Sequence, residues 1–463
     1  MAVARCLCAL LALAVAPAPA TAQMTVDLTS RESIKAAAKL IAANLFTYYH
    51  GDEPGQTPGI LPGPPPAGPY YWWEGGAMWG TMVDYWHYTG DTTYNSKTEH
   101  ALTFQANSPA NNFMPPNWTA SLGNDDQGFW GMSAMLAAET TFPDPPPDKP
   151  QWLMLAQGVF NTQAARWDMG ECGGGLRWQV PPTNNGYDYK NAIANGILFN
   201  TAARLARYTD NATYAAWADK TWHWMVNVGY IDHEFNIYDG GHAPKNCTDI
   251  DLAQFSYTAG IFIQGLGFMY NYTNGNPEWE ARLRGVTKRT IEFFFPDGVA
   301  HERACELDDR IQCTTDMLSF KGYLHRFMAQ SVQVAPIMRP VIMPVLKASA
   351  AGAASACLPD GTCGFRWNAG RYDGLTGAGQ QMNALGALTS LLVEEEVTKL
   401  PVTNATGGTS LGNAAGGGDP SVERVDKPIT AADRAGAGIL TMMSLAGMTG
   451  SFAWMSTKFG ERR

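Results

Sequence analysis

Apolar residues at Ile34, Ala38, Ile41 and Leu45 recur at the spacing of a helix with one buried face, which predicts a first helix over Ser30–Tyr49. A Pro- and Gly-rich stretch from Pro54 to Pro69 interrupts it. Similar patterns predict helices over Gly75–Tyr88, Thr92–Gln105, Asp125–Thr140 and Gln151–Trp167, with Pro143–Pro150 separating the last two. Cys172–Val180 is Gly-rich with a strand-like tail and reads as a hairpin loop. Seven more helices are expected over Asp188–Tyr208, Thr213–Val228, Asp251–Tyr272, Pro277–Phe295, Thr315–Ala329, Val332–Ser349 and Gly379–Lys399. Twelve helices with hardly any strand define an all-α chain of six consecutive helical hairpins.

The even-numbered helices differ from the odd ones. They are rich in Gly, Ala and aromatic residues all round, as a helix buried on every side is. Each nevertheless carries polar groups at or near its start. Helix two has Glu74, with Asp84 further along; helix four has Asp125 and Asp126. Helix six has Asp188, Tyr189, Lys190 and Asn191, and helix eight has Gln254, Ser256 and Tyr257. Lys321 lies in helix ten, and Gln380 and Gln381 open helix twelve. A closed ring with the even helices inside would gather these starts at one rim, around one concave pocket. Helix N-termini would then aim their free N–H groups at whatever sits there. An internal echo supports the ring: Gly175-Leu176-Arg177-Trp178-Gln179 precedes helix six, and Gly364-Phe365-Arg366-Trp367-Asn368 precedes helix twelve.

Composition narrows the partner. Of 463 residues, 16% are charged and 11% aromatic, and the net charge is −10. Nucleic acid is excluded, because phosphate binding needs a basic face. Few charges and many rings suit a neutral, hydroxyl-rich ligand. Both ends look like processing signals. Arg5, the apolar run Cys6–Val15 and Ala20-Thr21-Ala22 predict a signal peptide over residues 1–22. A Gly-rich linker and spacer over 401–434 and an apolar run from Ala435 match a glycolipid-anchor signal over 435–463. The basic end (Lys458, Arg462, Arg463) makes a true membrane span the competing reading. Either way, the domain over residues 23–400 faces outside the cell.

Six cysteines remain after the leader, an even number that reads as disulfides. Close spacing favours Cys305–Cys313 and Cys357–Cys363, leaving Cys172–Cys247. Acceptor sequons at Asn117, Asn211, Asn246, Asn271 and Asn404 agree with secretion. No Cys-x-x-Cys or paired-His motif appears, so neither a metal site nor a cofactor is expected.

The chemistry centres on Gly123-Asn124-Asp125-Asp126-Gln127. Aspartate at a helix start caps free N–H groups, which accounts for one carboxylate better than for two. Adjacent residues on a helix diverge by roughly 100°, so their carboxyls can lie about 5 Å apart, the separation of retaining glycosidases. Asp84, among Trp79, Tyr85 and Trp86, either pairs with a cation or binds sugar. Some of Tyr70, Tyr71, Trp72 and Trp73 are core, and one or two are candidates for stacking on sugar. Lys190 and Lys321 read as ion-pair partners, the aspartates themselves among the candidates.

Several blocks together resemble glycoside hydrolase family 76. They are Tyr71-Trp72-Trp73-Glu74-Gly75-Gly76-Ala77-Met78, the Gly123–Gln127 stretch, Cys172-Gly173-Gly174-Gly175-Leu176-Arg177-Trp178-Gln179, Tyr189-Lys190-Asn191 and Phe320-Lys321-Gly322. The resemblance covers Asp27–Lys399 and is nearest to a fungal branch of cell-wall proteins carried on a glycolipid anchor. It implies an (α/α)6 barrel and a retaining reaction on α-1,6-mannan, with Asp125 as nucleophile and Asp126 as acid/base. Trp72, Trp73, Asp84, Asn124, Tyr189, Lys190, Asn191, Tyr257 and Lys321 are expected to bind substrate. The implied donor is α-1,6-mannan or the mannose core of a glycolipid anchor, with wall glucan as a further acceptor. The competing expectation is a non-catalytic mannan-binding or wall-scaffolding protein on the same barrel.

Overall fold

The alternation of amphipathic and uniformly apolar helices is realised as two concentric layers. In the computed structural model of the protein, residues 22–417 are described, except 107–110, 116–117, 119–121, 308–311 and 394–399. The outer layer comprises α1 (Arg31–Phe46), α3 (Asn95–Gln105), α5 (Trp152–Ala165), α7 (Ala212–Asn227), α9 (Pro277–Phe294) and α11 (Arg339–Ser355). The inner layer comprises α2 (Trp72–Thr89), α4 (Asn124–Glu139), α6 (Ala192–Thr209), α8 (Ser256–Tyr272), α10 (Phe320–Val334) and α12 (Ala378–Thr389). Each inner helix packs on the next, and α12 packs back on α2, closing the ring. The result is an (α/α)6 barrel.

Sequence explains the layering. In α9, Trp279, Leu283, Val286, Thr290 and Phe294 are buried along one stripe, while Glu278, Arg284 and Lys288 face solvent. Helix α10 has no such stripe; all of Phe320–Val334 is buried. Close approach of inner helices requires small residues. A Cβ on Gly322 would stand 2.6 Å from Asn383 Cα, inside contact distance.

Several boundaries differ from the sequence expectation. Tyr189–Asn191, expected within helix six, is a strand (β1) paired antiparallel with β2, Gly240–His242. Helix α6 starts only at Ala192, because the Asn191 side chain caps it through the Ala194 N–H (3.3 Å). The tail of Cys172–Val180 forms a single bridge, Gln179 to Gly123, and no hairpin of its own. Helix α10 begins at Phe320 after a 3-10 turn over Asp316–Ser319. The three disulfides are Cys172–Cys247, Cys305–Cys313 and Cys357–Cys363. Residues 401–417 lie against the barrel as an extended strap, with the Leu153 N–H donating to Ser410 Oγ (2.9 Å) and Asn161 Nδ2 to Gly416 O (2.7 Å). The expected signal peptide over residues 1–22, save residue 22 itself, and the expected anchor signal over 435–463 fall outside the described residues.

Candidate active site

Because all six inner helices run the same way, their starts share one rim, and the start of α4 is tied there most firmly. The Asn124 N–H donates to Trp178 O (2.8 Å), Asn124 Nδ2 donates to Arg177 O (2.8 Å), and Arg166 Nε donates to Asn124 Oδ1 (2.8 Å). Asn124 is therefore a clamp whose side chain is already committed to protein. On this mounting, Asp126 reaches back to accept the Gly123 N–H (2.9 Å), and Asp125 Oδ1 accepts the Asp126 N–H (3.0 Å). Glycine is needed at position 123: a Cβ there would lie 2.3 Å from both Asp125 Oδ1 and Asp126 Oδ2.

Electrostatics set this pair apart from a helix cap. Burial, and then the Asp126 charge, raise Asp125 well above the usual carboxylate range, against three lowering donors: the Asp126 and Asp125 N–H groups and the Asn191 amide. Burial also raises Asp126, to about 6, and the Asp316 charge adds to the rise; the Gly123 N–H and Asp125 oppose it. The two carboxyls are close neighbours, since an oxygen of each lies 2.3 Å from the same point, the position a Cβ would take at Gly123. Among the described residues no Lys, Arg or His pairs with either one.

An aromatic floor surrounds them. The Trp73 ring lies 4.6 Å from Phe129, Phe129 lies parallel to Tyr257, and Tyr257 stacks on Phe320 at 3.7 Å. Burial and the charges of Asp125, Asp239, Asp316 and Glu302 raise the Tyr257 hydroxyl well above its ordinary value, so it stays a neutral donor. Tyr189 donates to Asp239 Oδ2 (2.9 Å), and burial with the Asp251 charge lifts Asp239 to about 6. Asn191 and Tyr257 thus border Asp125, Trp73 packs on Phe129 of the same helix, and Tyr189 is held by Asp239.

Other expected residues do not join them. Trp72 points outward, stacked on Trp130 at 5.2 Å with its Nε1 donating to Gln105 of α3 (2.8 Å). Asp84 lies deep in the barrel, bound by Arg326 Nε (2.6 Å) and Gln330, so the cation-pair reading replaces sugar binding. Lys190 pairs with Asp168 (3.2 Å) and donates to the carbonyls of Asp168, Glu171 and Gly174, which pins the loop carrying Cys172. Lys321 pairs with Glu306 (2.9 Å) and donates to Phe365 O (2.7 Å). Neither lysine partners the aspartates. Each anchors a disulfide loop beneath the rim.

Three contributors escaped the sequence reading as site residues: Asp316, Asp239 and Gly123. Asp316 had a usable signal, since it stands at the expected start of helix ten, where polar residues mark every other inner helix. Asp239 had none, because it is brought in by pairing over long sequence separation. Among the described residues no cluster of His, Cys, Asp and Glu is arranged to hold a metal ion.

A barrel of helical hairpins with two adjacent half-buried carboxylates in an aromatic cleft defines a carbohydrate-active protein. Residues 33–405 match the model of glycosyl hydrolase family 76, and the chain belongs to that family of glycoside hydrolases. It is 41% identical over 441 residues to mannan endo-1,6-alpha-mannosidase DCW1 of Saccharomyces cerevisiae, covering 94% of this chain and 96% of that protein. The crystal structure of Dfg5 from Chaetomium thermophilum in complex with glucosamine is similar at TM-score 0.82 and 50% identity, covering 86% of this chain and 98% of that one. An inactive variant of an α-1,6-mannanase from Salegentibacter, in complex with α-1,6-mannotriose, shares the fold at TM-score 0.62 and 16% identity, covering 78% of this chain and 99% of that one.

Proposed function

We propose that the protein is a retaining endo-α-1,6-mannosidase that cleaves α-1,6-linked mannan, or the mannose core of glycolipid anchors, outside the fungal cell. The observation that carries this is the pair of half-buried carboxyls on consecutive residues, an oxygen of each 2.3 Å from the position a Cβ would take at Gly123, with no cationic partner among the described residues. An inverting enzyme holds its carboxyls about 6.5–9.5 Å apart to admit water, a gap this pair does not leave. The roles follow the family pattern: Asp125, whose Oδ1 accepts the Asp126 N–H, is the nucleophile, and Asp126, raised by burial to about 6, is the acid/base.

In this reaction Asp125 attacks the anomeric carbon as Asp126 protonates the departing glycosidic oxygen. The bond to the leaving sugar breaks and a glycosyl-Asp125 ester forms. Asp126, now ionised, takes a proton from the incoming acceptor as that ester is cleaved. Water as acceptor gives hydrolysis; a glucan hydroxyl gives transfer. The leader and the anchor-like tail support a site of action on the outer face of the plasma membrane or in the wall. Release of membrane-bound protein by an anchor-cleaving phospholipase is the expected behaviour, and full retention would favour a true span.

The test incubates wild type, Asp125→Asn and Asp126→Asn with an α-1,6-mannan oligosaccharide, with and without a glucan acceptor, and reads product masses. Wild type should cleave the donor, and products that gain the acceptor's mass mark transfer. Both variants should lose at least about 10³-fold in rate while remaining folded. Undiminished turnover in both would overturn the assignment.

A further inference from the structure

We propose that Asp316 is a positioning residue whose negative charge, held by the Trp73 indole, keeps the proton on Asp126 at the pH where the enzyme works. The inference rests on the reading of Asp126 as acid/base.

Asp316 opens the 3-10 turn ahead of α10 and accepts the Trp73 Nε1–H at 3.0 Å. That indole packs at 4.6 Å against Phe129, one helical turn beyond Asp126 on α4. Asp316 is thereby tied to the face of α4 that carries the acid. The ordinary explanations for a carboxylate at a helix start do not apply. Its side chain caps no backbone N–H, and among the described residues no Lys or Arg pairs with it. A half-buried carboxylate held by one neutral donor keeps part of its desolvation cost uncompensated. Burial raises Asp316 above the usual carboxylate value, and the Trp73 bond opposes that rise.

The groups facing the acid give this charge its leverage. Asp125 neighbours Asp126 on α4, Asp316 faces it from the turn before α10, and Tyr257 borders the pair from α8. Glu74 of α2 and Tyr323 of α10 feel the same Asp316 charge. Arg166, at the start of α4, is engaged by Asn124 and Gln127. Among the described residues no counter-ion offsets the repulsion from Asp316, and a like charge nearby raises the proton affinity of a carboxyl.

The experiment compares pH profiles of kcat/KM on an α-1,6-mannan oligosaccharide. Asp316→Asn keeps an acceptor for Trp73 and removes only the charge. Its alkaline limb should move down by about one pH unit, with the thermal transition unchanged. An unmoved limb, whatever happens to KM, overturns the proposal. Should the asparagine protein not fold, Asp316→Glu and Asp316→Gln answer the same question: the Gln limb should lie below the Glu limb, and coincident limbs would refute the role. Asp126→Asn, assayed on a mannoside whose leaving group needs no protonation, separates the two readings. A lost alkaline limb there supports Asp126 as acid. If that limb is lost in Asp126→Asn but stays in place in Asp316→Asn, only the role of Asp316 fails. If it persists in Asp126→Asn, the acid assignment itself fails.

Discussion

The lower interior of the barrel and its rim bury charge in opposite ways. Low in the barrel, Glu139 of α4 meets Arg204 of α6 at 2.6 Å, both almost fully buried, and Asp84 of α2 meets Arg326 of α10 at 2.6 Å with Gln330 and Thr81 completing the set. At the rim, Asp125, Asp126, Asp239 and Asp316 find backbone N–H groups, a tyrosine and an indole, and no cation among the described residues. Desolvation acts on both sets. In the lower set an opposing charge compensates it; at the rim it is left standing and appears as raised proton affinity. A helical barrel needs its inner helices joined, and matched pairs do that. It does not need four unmatched carboxylates at one end, so their persistence there is best explained by chemistry.

The comparison breaks most visibly if the lower pairs prove dispensable. Arg204→Ala leaves Glu139 buried without its partner and should cost about 3–5 kcal/mol of stability, read by chemical denaturation. Whatever folded protein remains should turn over substrate at a rate close to wild type, because the pair touches nothing at the rim. Replacing both members with apolar residues of similar volume should recover much of the loss. A double variant as unstable as the single one would argue that the ion pair itself, and not merely its balance, holds the barrel.

This division was only half legible beforehand. Helix number and the inner/outer alternation could be read from the chain because they depend on local spacing: α9 has one apolar stripe and α10 has none. The aspartate pair was legible because two acids opening an apolar helix are conspicuous. Partners were not legible. Nothing local tells that Asp84 faces Arg326, 242 residues away, or that Lys321 reaches Glu306 and Phe365 rather than the rim. Trp72 and Trp73 are adjacent and chemically identical, and only the packing of α2 turns one toward α3 and the other into the cleft. Asp316 was passed over because its turn was merged with the helix that follows it.

The rim can be tested without touching a charge. Gly123 is not in a left-handed conformation, with φ at −89°, so alanine meets no backbone strain there. The added methyl meets Asp125 and Asp126 instead, at 2.3 Å from an oxygen of each. Gly123→Ala should therefore displace the carboxyls and lower kcat by about 10²-fold, the scale of a misplacement near 1 Å. Stability should change less than kcat, since the methyl's only backbone contact is Trp178 O at 3.3 Å and the Asn124 side-chain bonds to Arg177 O and Arg166 are left in place. A large loss of stability with normal kcat per folded molecule would show that the glycine serves the fold and not the carboxyls.

The smallest effect is a matter of sign. Asp126 sits at about 6 in the folded protein against an ordinary 3.8, so the folded state holds that proton more tightly than the unfolded chain. Its contribution to stability is full below the unfolded value and is lost as pH rises from about 4 through about 6. His325, buried between Lys321 O and Ser349 Oγ, is pushed down by burial to about 4 from 6.5, and its contribution runs the other way, lost as pH falls through that interval. In the wild-type protein these slopes oppose one another. Asp126→Asn removes the first and leaves the second. The variant should be more stable than wild type at pH 7 by about 1–2 kcal/mol, discounted for the partial exposure of the carboxyl. That advantage should vanish by about pH 4, as followed by denaturation at a series of pH values. A paired structural carboxylate would give the reverse, a variant less stable at pH 7, so the sign alone decides whether the charge at the rim is held against the fold or for it.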